Sequence, residues 1–262
     1  MSVYHKERPA FLCAALESIF SQTVLPSEVI LVEDGPLTEN LYKVVKDYEN
    51  KYSTLRVVPL KKNMGLGAAL NIGLEKSSNE LVARMDSDDV CKPNRFEEQL
   101  KVFESNPSID VCSAWIDEFE KDPTEVISQR KVPEHHDLIY AYAKKRCPVN
   151  HVCVMYKRSK VLKLGGYQGF PEDYFLWVRM LMSGCKFYNI QQSLVWVRFD
   201  SSVLKRRGGL KYAKQDFIVQ KKFYKMGFIN FPQFVYTVLI RGIVRIVPNN
   251  IRVIVYKTFL RQ

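Results

Sequence analysis

The sequence predicts an α/β fold built on a mainly parallel sheet with helices on both of its faces. Helical and strand-like segments alternate through the first 110 residues, which is the order that crossover connections between parallel strands produce. Acidic residues directly follow two of the strand-like runs, at Glu33-Asp34 and at Asp86 to Asp89. Ligands of such sheets bind at the carboxyl ends of the strands, so both acidic groups are expected at a binding edge.

The individual elements follow from the spacing of apolar residues. Helical spacing marks 12–20, 41–48 and 66–74, and short apolar runs mark strands at 29–32, 55–58 and 81–85. Beyond about residue 110 the pattern loosens into mixed strands and helices, with a strand at 152–156 and a helix at 174–182. We therefore expect 1–110 and 111–200 to be two halves of one domain, followed by a C-terminal region at 201–262.

Composition limits the class of protein. The 262 residues suffice for one sizeable core, with or without an appendage. The six cysteines are scattered without CxxC spacing, which favours buried thiols over disulfides or a zinc site. There is no signal-peptide pattern and no apolar run long enough to span a bilayer. We expect a cytoplasmic protein that is soluble or peripheral to the membrane.

The net charge of +11 is concentrated in the C-terminal region. Residues 198–262 contain 14 Lys and Arg against two Asp, whereas residues 1–197 carry a balance of −1. From Phe231 onward, apolar segments interrupted by arginines predict amphipathic helices that lie on an anionic membrane or pack on the core, and both possibilities stay open. A nucleic-acid partner is not expected, because the acidic strand ends would repel it.

The tetrapeptide Asp86-Ser87-Asp88-Asp89 is the most informative motif in the chain. Clustered carboxylates repel one another unless a cation or hydrogen-bond donors neutralise them. Hard oxygen ligands of this kind suit Mg²⁺ or Mn²⁺, which often also bind phosphate oxygens, so the motif favours a diphosphate substrate. The alternative is a solvated turn in which Asp88 or Asp89 caps the helix that begins near Pro93.

A second acidic pair, Glu172-Asp173, stands immediately before the predicted helix at 174–182. Carboxylates at a helix N-terminus are stabilised by the free amides and the helix dipole, so helix capping is one interpretation. The other interpretation is a catalytic base held at the rigid start of a helix.

Together these motifs resemble the family 2 glycosyltransferases, which bind nucleotide sugars and have the GT-A architecture. The matching segments occur in the family's order: SVY at 2–4, VEDGP at 32–36, NMGL at 63–66 with ALNIG at 69–73, MDSDD at 85–89, and EDY at 172–174 with LW at 176–177. The segment RRGG at 206–209 resembles a later element of bacterial polysaccharide members.

The resemblance implies a role for each matching residue. Asp34 would hold the uracil edge, with Ser2 and Tyr4 beside the base. The metal, Mn²⁺ or Mg²⁺, would be bound by Asp88, and Asp86 would share in binding it while contacting the ribose side; Asp89 would support the loop. Asp173 would be the catalytic base, with Glu172 as a less favoured substitute. The remaining donor-binding residues would be Glu33, Asn63, Arg206 and Arg207, the two arginines near phosphates.

The implied activity is metal-dependent inverting transfer of a hexose from a UDP-sugar, with UDP-glucose or UDP-galactose favoured. The acceptor would be a GlcNAc- or GalNAc-diphosphate-lipid in O-antigen or polysaccharide repeat-unit assembly, at the inner face of the cytoplasmic membrane, and the linkage would be β. One rival is a Mg²⁺-dependent phosphoryl-transfer enzyme, although the later Lys of such phosphatases has no clear counterpart here. The other rival, a non-catalytic sugar- or anion-binding protein, is disfavoured by the retained acids.

Overall fold

The computed structural model describes residues 1–199 and 209–246, and these ranges contain nine strands and nine α-helices. The strands are Ser2–Val3 (β1), Val29–Glu33 (β2), Leu55–Pro59 (β3), Leu81–Ala83 (β4), Val90–Cys91 (β5), Ile109–Phe119 (β6), Val126–Arg130 (β7), Met155–Lys157 (β8) and Lys186–Arg198 (β9). The helices are Pro9–Phe20 (α1), Glu39–Lys51 (α2), Leu66–Lys76 (α3), Arg95–Ser105 (α4), His136–Ala143 (α5), Arg158–Lys163 (α6), Glu172–Met182 (α7), Leu210–Lys225 (α8) and Phe231–Ile246 (α9). A mixed α/β fold is thereby confirmed.

The first three strands form a parallel sheet in the order β1-β2-β3. β2 pairs with β3 along its whole length, with Val29 opposite Leu55, and β1 lies on its other side, with Ser2 opposite Val32. The three helices predicted in this half are present as α1, α2 and α3. Pro9 stands in the first turn of α1, where the missing N–H of proline leaves no hydrogen bond unmade.

The fourth strand does not continue this parallel sheet. β4 pairs with β8 in the antiparallel direction, at the edge of a second sheet ordered β4-β8-β6-β9-β5, with β7 paired to β6. The predicted strand at 152–156 also differs, because residues 151–153 form a 3₁₀ turn and the strand begins at Met155. Alternation along the chain predicts that a strand exists, but the partner of a three-residue strand is decided by tertiary packing.

A buried arginine ties the end of β4 to the rest of the second sheet. The side chain of Arg95, at the start of α4, is fully buried. Its Nη2 donates to the carbonyl oxygens of Arg84 at 2.7 Å and Val154 at 3.3 Å, and its Nε donates to Gln99 at 3.1 Å. Because a buried guanidinium needs these acceptors, the backbone that leads into residues 86–89 is held in one position.

The helix α7 forms the centre of the larger hydrophobic core. Leu176, Trp177 and Met180 are fully buried, and Phe223 of α8 packs against the same cluster. The two C-terminal helices α8 and α9 are therefore connected to α7 rather than separate from it. No helix in the described ranges combines the length and apolar character that crossing a bilayer requires.

Candidate active site

The residues predicted to bind the nucleotide meet where β1 and β2 end. The Asp34 N–H donates to the Val3 carbonyl at 2.7 Å, which places Tyr4 beside Asp34. The Asn63 side chain donates from Nδ2 to the Asp34 carbonyl at 3.2 Å. Glu33 and Asp34 are buried, whereas Tyr4 is 41% exposed and can reach a ligand. The set Ser2, Tyr4, Glu33, Asp34 and Asn63 thus lies at one edge of the parallel sheet.

The carboxylate of Asp34 organises the loop that precedes α3. Its Oδ1 accepts from the Met64 N–H at 2.6 Å, and its Oδ2 accepts from the Gly65 N–H at 3.0 Å. The loop approaches β2 so closely that a Cβ at Gly35, where φ is +87°, would lie 2.6 Å from the Asn63 nitrogen. Each carboxylate oxygen keeps a further lone pair beyond its bond to this loop.

Arg84 lies beneath the acidic loop and pairs with its first carboxylate. Arg84 Nη1 donates to Asp86 Oδ2 at 2.6 Å, and Nη2 donates to Oδ1. The side chain of Arg84 is only 3% exposed, while that of Asp86 is 29% exposed. Because Arg84 is buried, removal of Asp86 would leave the charge of the guanidinium uncompensated. Asp86 is held in one orientation and its negative charge is balanced.

The three aspartates of the tetrapeptide form a compact group of oxygen ligands. One carboxylate oxygen from each of Asp86, Asp88 and Asp89 lies within 4.8 Å of the others. Burial, then the charges of Asp86 and Glu7, raise the pKa of Asp88 to about 6. Burial and the other two aspartates also hold the pKa of Asp89 well above its usual value. A divalent cation would relieve this repulsion, so the donor set fits Mg²⁺ or Mn²⁺.

Two segments that are distant in the sequence close around this loop. Ser87 Oγ donates to Glu7 Oε2 at 2.6 Å. From the end of β9, the Arg198 N–H donates to Asp89 Oδ1 at 2.8 Å, and its Nε donates to the Asp88 carbonyl at 3.3 Å. Within residues 1–199 and 209–246, the Asp88 carboxylate meets no side-chain donor. Of the three acids, Asp88 is the one whose carboxylate has no donor from another residue in these ranges.

The structure does not support the helix-cap interpretation of Asp88 and Asp89. The residue before α4 is Asn94, and no side-chain cap bond is made there. At α7 the capping position is Pro171, while Glu172 and Asp173 occupy the first turn. These two acids gain from the free amides at the start of the helix without capping it.

The two acids at the start of α7 are directed to different surroundings. Glu172 is half-buried, and its pKa is raised chiefly by burial, with Arg84 and Asp86 close enough to act on it electrostatically. It also lies against α3, where a Cβ at Gly67 would be 3.5 Å from the Glu172 Cβ. Glu172 therefore belongs to the same group of charges as the acidic loop.

Asp173 lies beside Cys147 and is close enough to Tyr167 to act on it electrostatically. The Cys147 thiol donates from Sγ to Asp173 Oδ2 at 3.8 Å. Burial and the Asp173 charge raise the pKa of Cys147 to about 12, so its proton stays on the sulfur. The neighbouring Tyr174 hydroxyl donates to the Ala143 carbonyl at 2.6 Å, which ties the end of α5 to α7.

The sequence interpretation missed three residues of the site, Glu7, Arg84 and Arg198. The sequence does indicate Arg84, because it is the only charged residue in the apolar run 81–85 that leads into the acids. Nothing in the local sequence indicates Glu7 or Arg198. Glu7 contacts a loop residue 80 positions away, and Arg198 contacts loop residues 109 or more positions away. Arg206 and Arg207 lie outside the described residues.

Comparison with known proteins agrees with these observations. The pattern of glycosyl transferase family 2 matches residues 1–165. A UDP-Gal:alpha-D-GlcNAc-diphosphoundecaprenol beta-1,3-galactosyltransferase of Escherichia coli is 40% identical over all of this chain and 95% of its own length. The amylovoran biosynthesis glycosyltransferase AmsE of Erwinia amylovora is 36% identical over 98% of this chain and 96% of its own length.

Solved structures show the same architecture at lower identity. A mannosyltransferase of Pyrobaculum calidifontis, in complex with GDP-Man and Mn²⁺, superposes with a TM-score of 0.63 at 16% identity, covering 92% of this chain and 68% of its own. S. aureus TarS 1–349 superposes with a TM-score of 0.59 at 17% identity, covering 93% of this chain and 80% of its own. The GT-A class predicted from the sequence is confirmed, and the chain belongs to glycosyl transferase family 2.

Proposed function

We propose that this enzyme transfers galactose from UDP-galactose to a GlcNAc-diphosphate-lipid and forms a β-linkage in polysaccharide or O-antigen repeat-unit assembly. Donor and acceptor are those named for the Escherichia coli relative that is 40% identical over the whole chain. The observation that carries the reaction type is the group of three carboxylates within 4.8 Å of one another. UDP-glucose and a lipid-linked GalNAc are the second choices.

Asp88 and Asp86 are the residues that would hold Mn²⁺ or Mg²⁺. Bound there, the ion would neutralise the charge that develops on the departing diphosphate. Arg84 keeps Asp86 in a fixed orientation from below, and the backbone of Arg198 keeps Asp89 in place. These contacts hold the loop before any ligand arrives, which reduces the reorganisation needed when charge develops.

The nucleoside would lie along the edge formed by β1 and β2. Asp34 would accept from the uracil, and Tyr4 is exposed beside it to pack on the base. Ser2, Glu33 and Asn63 complete this edge by holding the backbone around Asp34. Arg206 and Arg207 would approach the phosphates of the donor or the acceptor.

Asp173 would take the proton from the acceptor hydroxyl. A hydroxyl is a poor nucleophile until a positioned base removes its proton, and α7 presents this carboxylate from the first turn of a buried helix. One displacement on the face opposite the leaving group inverts the anomeric centre, so an α-linked donor gives a β-linked product. Glu172 is the second candidate, because Arg84 and Asp86 act on it directly.

The proposed acceptor would bring the reaction to a lipid surface. We propose that the enzyme is peripheral at the inner face of the cytoplasmic membrane, since the undecaprenol-type acceptor named for the relative is anchored by its lipid chain.

A donor and acceptor panel tests this function. UDP-galactose, UDP-glucose and UDP-N-acetylglucosamine are each incubated with GlcNAc- and GalNAc-diphosphate-lipid analogues, with Mn²⁺ or with EDTA, and the linkage of the product is read by NMR. We expect β-galactosyl transfer to the GlcNAc acceptor, dependent on the metal. Release of phosphate from simple phosphate esters without sugar transfer would instead favour the phosphoryl-transfer alternative, and binding of UDP-sugars without any turnover would favour the binding-protein alternative.

A further inference from the structure

The helix α9 presents a row of apolar side chains to solvent. Phe231, Val235 and Leu239 follow one another at four-residue spacing and are 59%, 38% and 59% exposed. Tyr236 and Ile240 flank them at 55% and 47%. Residues four apart lie on the same side of a helix, so these side chains form one contiguous surface. Soluble domains rarely expose such a surface unless it contacts another molecule.

The neighbouring helix α8 extends this surface. Its Phe217, Ile218 and Tyr224 are also exposed, at about the same level of 42% to 44%. The Tyr224 ring lies 6.1 Å from the Phe231 ring, measured between centroids, so the exposed rows of the two helices meet. We call this combined surface the apolar hairpin face. Its members are Phe217, Ile218, Tyr224, Phe231, Val235, Tyr236, Leu239 and Ile240.

Positive charge accompanies the apolar hairpin face. Lys214, Lys221 and Lys225 are exposed, and their spacing places them on the side of α8 that carries Phe217. The sequence has a single acid between 209 and 246, Asp216, and its carboxylate pairs with Arg241 at 3.1 Å. Lysines beside exposed apolar residues, without competing acids, are typical of helices that lie in the interface of an anionic bilayer.

The hairpin is also attached directly to the helix that carries the proposed base. Phe223, on the inner side of α8, packs edge-on against Tyr174 and Phe175, with ring centroids 4.8 Å and 5.1 Å away. Arg241 of α9 donates from Nη2 to the Lys145 carbonyl at 2.8 Å. Tyr174 and Phe175 directly follow Asp173 in α7. Any surface that the hairpin rests on is therefore held at a set distance from Asp173.

We propose that the apolar hairpin face is the surface through which this enzyme rests on an anionic lipid bilayer, with α8 and α9 lying in the headgroup region and α7 carrying Asp173 directly above them. The proposal deepens the proposed function and rests on it for the lipid-linked acceptor. The attachment would bring the diphosphate of a membrane-anchored acceptor to the height of Asp173, so that encounter with the acceptor becomes a search within the plane of the membrane.

Vesicle co-sedimentation of the full chain tests the proposal. Vesicles of phosphatidylcholine with 30% phosphatidylglycerol are compared with pure phosphatidylcholine, in the absence of donor and acceptor. The double variant Leu239→Ser with Ile240→Ser is expected to bind anionic vesicles more weakly than the wild type by a factor of roughly ten or more, because these apolar groups no longer insert into the bilayer. The matched control is Leu25→Ser with Leu138→Ser, two residues that are 66% and 58% exposed elsewhere on the chain, and it should bind as the wild type does.

A charge variant provides an independent measurement. Lys221→Gln and Lys225→Gln should each weaken binding to anionic vesicles by roughly fivefold and leave the weak binding to neutral vesicles unchanged. Added salt should reduce the binding of the wild type in the same way. Each variant is first checked for a cooperative thermal transition, and all are expected to keep their turnover of a short, water-soluble diphosphate acceptor.

Two outcomes overturn the proposal. In one, the apolar double variant sediments with anionic vesicles as strongly as the wild type. In the other, the wild type does not bind vesicles and instead self-associates in sedimentation velocity, with the double variant monomeric, so that a second copy covers the face. Because the vesicle assay contains neither donor nor acceptor, a wrong assignment of the sugar leaves its result unaffected, and a loss of vesicle binding leaves turnover of the soluble acceptor intact.

Discussion

At the residue scale, the acidic loop holds its three carboxylates in three different ways. Asp86 is paired with a buried arginine, and Asp89 accepts from the backbone of Arg198. Asp88 has a pKa raised to about 6 and no side-chain donor in the described ranges. The loop is therefore built from two fixed carboxylates and one that is available to bind a cation.

Replacing Asp88 tests the assignment of the metal. Asp88→Asn should lower kcat/KM by roughly a hundredfold or more, because a charged ligand of the ion is removed. Its thermal unfolding midpoint should be no lower than that of the wild type, because the substitution removes a charge that burial disfavours in the folded chain. The exposed Asp47→Asn on α2 is the control. Full wild-type turnover in EDTA would contradict the assignment.

Replacing the two acids of α7 separates their roles. Asp173→Asn should reduce kcat by roughly a hundred- to ten-thousandfold, which is the usual contribution of a general base. Its affinity for the UDP-sugar, measured by calorimetry, should stay within a few-fold of the wild type, because the base acts in the chemical step. Glu172→Gln should cost less in kcat. If the larger loss falls on Glu172→Gln, Glu172 is the base.

At the element scale, the site depends on how α3 meets the segment that leads into α7. The side chain of Asn71 on α3 spans the contact. Its Nδ2 donates to the Tyr167 carbonyl at 2.9 Å, and its Oδ1 accepts from the Tyr167 N–H at 2.7 Å. The loop that Asp34 holds begins this helix, so the donor edge and the acids of α7 share one rigid connection.

Asn71→Ala should loosen that connection. Loss of both hydrogen bonds leaves a partly buried peptide unpaired, and we expect the free energy of unfolding to fall by about 1–3 kcal/mol. The kcat should fall roughly ten- to a hundredfold with little change in KM for the donor, because small displacements of catalytic groups are costly. The control is Asn79→Ala, whose hydrogen bonds are on the surface. A change in KM alone, with kcat intact, would contradict a positioning role.

At the scale of the whole molecule, the partly buried His151 links stability to pH. Its ring packs against those of Tyr167 and Trp177, with centroids 5.4 Å and 5.9 Å away. Burial, followed by the charge of Arg84, holds the pKa of His151 well below its usual value. The imidazole therefore keeps its neutral form to a lower pH in the folded chain than in the unfolded chain, which takes up a proton as the pH falls below about 6.5.

The sign of the effect follows from this difference in proton uptake. The unfolded chain binds more protons at low pH, so the stability that neutral His151 contributes is complete above about pH 6.5 and is lost as the pH falls, by roughly 1 kcal/mol per pH unit. In His151→Gln this part of the slope should disappear from denaturant titrations in EDTA between pH 7.5 and 5.5. The exposed His135→Gln should keep it. An unchanged slope in His151→Gln would contradict the prediction.

Local patterns and long-range contacts explain which features of this molecule the sequence predicts. The helices α1 to α3 and the strands between them were predictable because their apolar spacing is regular. The parallel pairing of β6 with β9 was not, because Ile109 and Lys186 are remote in the chain and nothing local specifies a partner. The acids at strand ends and at the start of α7 were visible as residue types, and their catalytic roles stay predictions. Arg198 was invisible because its contact with Asp89 exists only after folding.

The thiol beside Asp173 has a consequence for inhibitor chemistry. With a pKa of about 12, Cys147 carries almost no thiolate at neutral pH. We therefore expect it to react slowly with general alkylating reagents and mild oxidants. A Michael acceptor carried by an acceptor analogue would be a different case. The sulfur would add to its β-carbon as the C=C π bond breaks, and the thiol proton would pass through the Asp173 carboxylate, 3.8 Å away, to the α-carbon. We therefore expect covalent inhibitors to label Cys147 only when they first bind against α7.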